Sequence, residues 1–113
     1  MAAAHYSLDN LTAIVDRNRV QNDDFCDNVM RTDPLPDKWR SFGWHVQEVD
    51  GHDLSQVIEA LEKARDVRGR PAVVIAHTVK GKGVSFMENK PEWHGKAPTP
   101  EQAERALAEL GSE

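Results

Sequence analysis

Short apolar runs alternate with amphipathic stretches along this chain. Ala72 to Ala76 reads Ala-Val-Val-Ile-Ala, an unbroken apolar run that predicts a strand buried on both faces. Leu11 to Val15 (Leu-Thr-Ala-Ile-Val) predicts another buried strand, ending at Asp16. His45 to Val49 sets Val46 and Val49 among polar residues, a mixed pattern that suits a less buried or edge strand. Leu54, Val57, Ile58 and Leu61 recur at helical spacing and predict a helix with these four as its buried stripe. Asp53 is its expected cap, Gln56 completes a capping-box pattern, and Gly69 is expected to close it. Thr99-Pro100-Glu101-Gln102 opens a further helix, with Ala103, Ala106, Leu107 and Leu110 as its apolar face and Gly111 as its stop.

Two stretches are less regular. Asp33-Pro34 reads as an N-cap followed by proline at the first helical position. Leu35, Trp39 and Phe42 then share one face, and Gly43 ends the helix. Met1 to Tyr6 has helical composition without an N-terminal cap, like the last turns of a helix whose beginning is missing. Arg17 to Thr32 is polar and aperiodic, and predicts a long loop. Strands alternating with helices imply an α/β fold with a parallel sheet. Three strands are few for such a sheet, whose edges and faces need cover. Residues 1–113 therefore read either as part of a larger domain or as a small independent α/β domain.

Composition narrows the function. The chain has 113 residues and a formal charge of -5, with no basic arm or stripe, which argues against nucleic acid as its main partner. Cys26 is the only cysteine, so no intrachain disulfide can form, and a reducing cytoplasm suits the chain. No segment has the length and apolarity of a membrane span, and the start lacks the pattern of a signal peptide.

The candidate chemistry follows two of the predicted strands. In open α/β sheets, ligands gather beyond the carboxyl ends of the strands. After the first strand comes Asp16-Arg17-Asn18-Arg19-Val20, where an Asn oxygen and a backbone carbonyl offer hard-cation ligands. A turn-forming Asn is the commoner meaning of such a residue. After the third strand comes Lys80-Gly81-Lys82-Gly83, followed by Trp93-His94-Gly95-Lys96. Glycines let backbone approach a ligand, lysines supply charge for anions, and a histidine handles protons near neutral pH. The spacing is not that of a Walker A loop, and Lys-Gly-Lys-Gly alone is more often an exposed turn. His5, His45, His52 and His77 show no metal-ligand spacing with each other or with Cys26. Asp23, Asp24 and Asp27 read as an exposed acidic loop, and Trp39 and Trp44 as packing residues beside a helix end.

Taken in order, Leu8-Asp9-Asn10-Leu11, Val15-Asp16-Arg17-Asn18, Asp37 to Trp44, Val49-Asp50-Gly51-His52-Asp53, Lys80 to Glu88 and Trp93 to Pro98 resemble transketolase. The resemblance is to the N-terminal subunit of split transketolases, in the later part of the thiamine-diphosphate-binding domain. It implies a partial thiamine-diphosphate-binding fold over residues 1–113. It also implies a Mg²⁺- or Ca²⁺-dependent transfer of a two-carbon ketol unit between sugar phosphates, as in the pentose phosphate pathway. Asn18 matches the asparagine that ligates the metal, and Val20 the position whose carbonyl joins it. Lys80 matches a lysine approaching the cofactor, and His94 a histidine near diphosphate and substrate. The implied partner is a C-terminal transketolase subunit or another copy of the chain, in a cytoplasmic oligomer.

The departures from the family pattern are specific. The Gly-Asp-Gly that opens the family motif, with its carboxylate ligand, is absent, as are the pyrimidine-binding domain and its activating glutamate. The chain alone is therefore expected to be inactive. Arg19 stands where the family often has glycine, and Asp23 to Cys26 lacks another glycine, so its backbone is expected to take a different path. A non-catalytic interaction module, such as a truncated paralogue pairing with a transketolase subunit, is the alternative from another class. Deoxyxylulose phosphate synthase is a third reading, which the Trp-His-Gly-Lys stretch fits less well.

Overall fold

The computed structural model describes residues 1–111, which form two compact units. The first unit comprises residues 1–17 and 32–78; the second comprises residues 18–31 and the stretch from Val79 onward.

The first unit contains α1 (Ala2–His5), β1 (Thr12–Arg17), α3 (Leu35–Ser41), β4 (His45–Asp50), α4 (Leu54–Asp66) and β5 (Ala72–His77). Its strands form a parallel sheet in the order β1-β5-β4, so the last strand in sequence is the central one. Register is flush, from Thr12–Ala72–His45 at one end to Arg17–His77–Asp50 at the other. The expectation of a three-stranded parallel sheet with flanking helices is met. Val73, Val74 and Ile75 are 0–1% exposed, as the unbroken apolar run requires of a strand covered on both faces. Burying each such side chain stabilises by about 1.5–3 kcal/mol relative to exposure, so β5 is the energetic centre of this unit.

Several local expectations are corrected. β1 is not a buried strand: exposed and half-buried residues alternate along it, and Ile14 is 59% exposed. With β5 on one side only, β1 lacks the neighbour that would cover it. The face that α4 buries is centred on Ala60 and Ala64, with Val57 and Leu61 half-buried, while Leu54 and Ile58 stay exposed. Small alanines allow a close helix–sheet approach, which turns the larger residues outward. Asp33 does not cap α3, which starts after Pro34; Asp33 pairs with Arg17 instead. α4 ends at an extended Val67, not at Gly69.

The caps and aromatic packing are otherwise as read. Asp53 Oδ1 accepts the Ser55 and Gln56 amides at 2.9 and 3.2 Å. Gln56 differs from a reciprocal capping box, since it donates to Asp53 Oδ2 at 2.9 Å and accepts the Asp50 amide at 3.1 Å. Trp39 and Trp44 meet edge to face, 4.8 Å between centroids.

Gly51 follows β4 at a point where no side chain fits. A Cβ there would lie 2.5 Å from Thr78 Cγ2, 3.1 Å from Ala76 Cβ and 3.2 Å from the His77 carbonyl oxygen. Gly51→Ala is expected to destabilise by roughly 1–3 kcal/mol, because two of those neighbours are held by the central strand. Urea unfolding of the variant against wild type measures this, and an unchanged midpoint would contradict the packing described.

Candidate functional site at the strand ends

All four candidate residues, Asn18, Val20, Lys80 and His94, fall in the second unit. Two chain segments build it, one leaving the carboxyl end of β1 and the other following β5.

The first segment is not the featureless loop expected over Arg17 to Thr32. Val20–Gln21 (β2) and Asp24–Phe25 (β3) form a two-stranded antiparallel hairpin, and Cys26–Val29 (α2) is a short helix. Asn18 opens the hairpin: its Oδ1 accepts the Val20 amide at 3.0 Å. Arg19, between them, has φ +63°, a left-handed conformation natural to glycine. The backbone thus keeps the turn even though arginine stands there. The second missing glycine has a different outcome. Asn22 takes the left-handed position in the hairpin, with φ +52°, and the Asp24 carboxylate accepts the Phe25 amide and the Asn28 side-chain amide.

These bonds decide which oxygens remain open. Val20 and Phe25 are cross-strand partners, but their amides go to Asn18 and Asp24. They therefore form a wide, non-hydrogen-bonded pair, which turns the Val20 carbonyl away from the hairpin. Asn18 Oδ1 keeps one lone pair beyond the bond it accepts. The turn thus offers two neutral, hard oxygen donors, chemistry that fits part of a Mg²⁺ or Ca²⁺ coordination set. The set needs anionic oxygens from elsewhere, since no cluster of three His, Cys, Asp or Glu capable of holding a metal occurs among the described residues.

The second segment, Lys80 to Asn89, closes on itself. The Asn89 amide donates to the Lys80 carbonyl at 2.9 Å, and those of Met87 and Glu88 donate to Val84 at 2.9 and 3.0 Å. Gly81 has φ +73°, and a Cβ on it would meet the Met87 backbone at 2.8 Å, so this position too demands glycine. Val84 is buried beneath the loop. The two lysines differ. Lys82 Nζ lies 3.8 Å from Glu88 Oε1, the same oxygen that accepts the Gly83 amide at 3.0 Å. Lys80 is half-buried, and no carboxylate pairs with its ammonium among the described residues.

His94 is exposed, at the end of the 3₁₀ turn Pro91–Trp93. Its neighbour Trp93 anchors it: the indole Nε1 donates to the Phe86 carbonyl at 3.0 Å, and the two rings meet edge to face at 5.6 Å. Lys96 lies over the indole at 4.8 Å. The 3₁₀ turn also packs against β3, so the hairpin and the His94 segment are neighbours. No hydrogen bond or ion pair among the described residues joins Lys80 or His94 directly to Asn18 or Val20. Sequence reading passed over Glu88, Phe86 and Trp93 as supports, because an aperiodic loop carries no spacing signal to mark them.

Helix α5 (Pro100–Glu109) is tied to the same loop. Ser85 donates its amide to Glu109 Oε2 and its hydroxyl to Oε1, the latter at 2.9 Å. Arg105 Nε reaches Glu109 Oε1 at 3.0 Å, and its guanidinium lies 4.9 Å from the Phe86 ring centroid. These bonds make Glu109 a stronger acid than an ordinary glutamate, first through the Ser85 amide, then the Ser85 hydroxyl and Arg105. The helix start is the capping box read from Thr99 and Gln102. Leu107 and Leu110, expected on the buried face, are 55% and 57% exposed, and the half-buried residues are Ala103 and Ala106.

A parallel α/β sheet with ligand-bearing loops after its strands is a cofactor-binding architecture. Residues 1–113 match the family model for the transketolase thiamine diphosphate binding domain, so the chain belongs to the transketolase family. One of the two subunits named for apulose-4-phosphate transketolase in Actinobacillus succinogenes is 46% identical over 113 residues, covering 100% of this chain and 41% of that protein. The 6-deoxy-6-sulfo-D-fructose transketolase subunit SqwG of a Clostridium species is 42% identical over 113 residues, again 100% of this chain and 41% of that protein. The chain thus spans about two fifths of the length of these relatives. Among solved structures, transketolase from Campylobacter jejuni superposes with a TM-score of 0.87 at 26% identity, over 97% of this chain and 17% of that one. Transketolase from Leishmania mexicana gives 0.86 at 27% identity, over 97% and 16%.

Two outcomes test this local picture. Arg19→Gly is expected to be neutral or slightly stabilising, since the roughly 1–2 kcal/mol cost of a left-handed L-residue is offset by glycine's own entropy. Arg19→Val, with a branched Cβ, is expected to be destabilising, and thermal melts of the pair give the order. Glu109, with its lowered folded value, contributes stability that is complete above the ordinary glutamate range. That contribution is lost as pH falls through the lowered value. Acid titration of the helical signal should therefore show a component at low pH that Glu109→Gln removes; an identical acid limb in the variant would contradict the assignment.

Proposed function

We propose that this chain is part of the thiamine-diphosphate-binding domain of a two-subunit transketolase. The assembled enzyme transfers a two-carbon ketol unit between sugar phosphates in the cytoplasm. The observation that carries the reading is the Asn18–Val20 turn, with two open oxygen donors in the same compact unit as the Lys80–His94 segment. Relatives that are named as single subunits of transketolases support a separate partner, here a C-terminal transketolase subunit; another copy of this chain is the second candidate.

Asn18 Oδ1 and the Val20 carbonyl hold the divalent cation, Mg²⁺ or Ca²⁺. Both are neutral, so the cation keeps the charge needed to draw in a diphosphate. Lys80 adds a point charge on the diphosphate side. His94, held out on the Trp93 anchor, binds the diphosphate and meets the substrate, where an imidazole can hold or pass a proton at a hydroxyl. Thiamine diphosphate, when bound, supplies the carbanion chemistry of ketol transfer. The 113-residue chain alone should turn over poorly, because its cation donors carry no formal charge and Mg²⁺ sheds water reluctantly. Identity of 46% along the full chain to a transketolase subunit favours this reading over a non-catalytic interaction module.

The test is steady-state kinetics and cofactor titration in the complete enzyme, with both subunits present. Asn18→Ala should weaken metal-dependent cofactor binding about tenfold or more, roughly 1.4 kcal/mol. Lys80→Ala should weaken cofactor binding in a manner that high salt masks. His94→Ala should lower turnover more than cofactor affinity, each tenfold being about 1.4 kcal/mol of transition-state stabilisation. Near wild-type values for all three variants would remove the site assignment.

A further inference from the structure

The Lys80–Asn89 loop carries two lysines, and the structure treats them differently. Glu88 Oε1 accepts the Gly83 amide at 3.0 Å and lies 3.8 Å from Lys82 Nζ. Its own amide is held by the Val84 carbonyl at 3.0 Å, so the carboxylate sits on a closed turn. Lys80 leaves the same loop half-buried and without a carboxylate partner among the described residues. The Lys82–Glu88 pair is partly exposed, with side chains 54% and 37% accessible, a setting in which ion pairs add little stability. Stability is thus a poor reason for this carboxylate.

We propose that Glu88 is a positioning residue that assigns the two lysines their roles, holding Lys82 and the Gly83 amide within the loop so that Lys80 alone meets a diphosphate. The inference rests on the diphosphate site proposed above. Its physical basis is charge matching. A divalent cation cancels most of the charge on a diphosphate, and one ammonium suits the remainder. A second free ammonium would compete with the cation and repel it, and like charges a few ångströms apart interact strongly where water is partly excluded. Neutralising Lys82 within its own loop avoids that conflict while keeping a loop rich enough in glycine to approach the ligand.

The proposal predicts a gain on removal, which a purely structural role would not. Isothermal titration of the chain with inorganic pyrophosphate at low salt, with and without Mg²⁺, compares wild type with three variants and a double variant. Glu88→Gln keeps a hydrogen-bond acceptor for Gly83 but frees Lys82. Metal-free pyrophosphate affinity should rise by roughly fivefold or more, with a steeper loss on adding salt and a smaller gain from Mg²⁺. Glu88→Gln with Lys82→Gln should return to the wild-type value. Lys82→Gln alone should leave affinity within about twofold, since that ammonium is already matched. Lys80→Gln should weaken binding about fivefold or more. Unchanged or weaker binding by Glu88→Gln that retains the wild-type circular dichroism spectrum overturns the proposal. If that variant does not fold, a marked loss with Lys82→Gln alone overturns it. In either case a loss with Lys80→Gln leaves the diphosphate site standing. No saturable binding by wild type, or no effect of Lys80→Gln, removes both.

Discussion

The parallel pairing of β5 with a strand on each side is the constraint on which the rest depends. Val73, Val74 and Ile75 are almost wholly removed from water, and no other described element is buried along its length. Because β1 and β4 both run parallel to β5 in flush register, all three carboxyl ends lie at one edge of the sheet. Thr78 then donates to Asp16 through its hydroxyl and to the Arg17 carbonyl through its amide, pinning the exits of β1 and β5 together. Asn18 and Lys80 each come two residues after a member of the Asp16–Thr78 bond. An antiparallel pairing would send one of these loops to the opposite end.

The two loops solve different problems. The Asn18–Val20 turn must leave oxygens open while satisfying its own amides. It does so by making Asn18 accept the Val20 amide and by accepting a left-handed residue at Arg19. The loop after β5 must present charge without flexibility. It does so by folding back on the Gly81 backbone, closing with Asn89, and anchoring Trp93 on the Phe86 carbonyl. Helix α5 secures that loop by the Glu109–Ser85 bonds, so a residue far along the chain supports the loop that carries Lys80.

The apolar faces show where local pattern and packing part company. Leu54 and Ile58 lie at helical spacing with Val57 and Leu61, yet α4 turns Ala60 and Ala64 to the sheet and leaves the first two in water. Periodicity identifies a stripe, but the stripe here is wider than the contact. Leu107 and Leu110 repeat the pattern on α5. β1 is the strand counterpart: its apolar run marked a strand correctly, while its exposure depends on having a single neighbour.

Element type and order were legible in the chain itself, because they rest on local physics: the apolar run of β5, the Asp53 and Thr99 caps, and the spacing of helical apolar residues. The candidate residues Asn18, Val20, Lys80 and His94 were legible through their resemblance to transketolase, since each stands within a distinctive ordered motif. Tertiary structure decided what depends on partners distant in sequence. It alone showed that Asp33 meets Arg17 instead of capping a helix, that the polar segment after β1 folds into a hairpin, and which faces are covered. It also showed that Lys80 and Lys82 are not equivalent, because only the folded loop brings Glu88 to one of them. A residue's type and spacing travel with the sequence; which neighbour satisfies its charge or hydrogen bond is settled only when the chain closes around it.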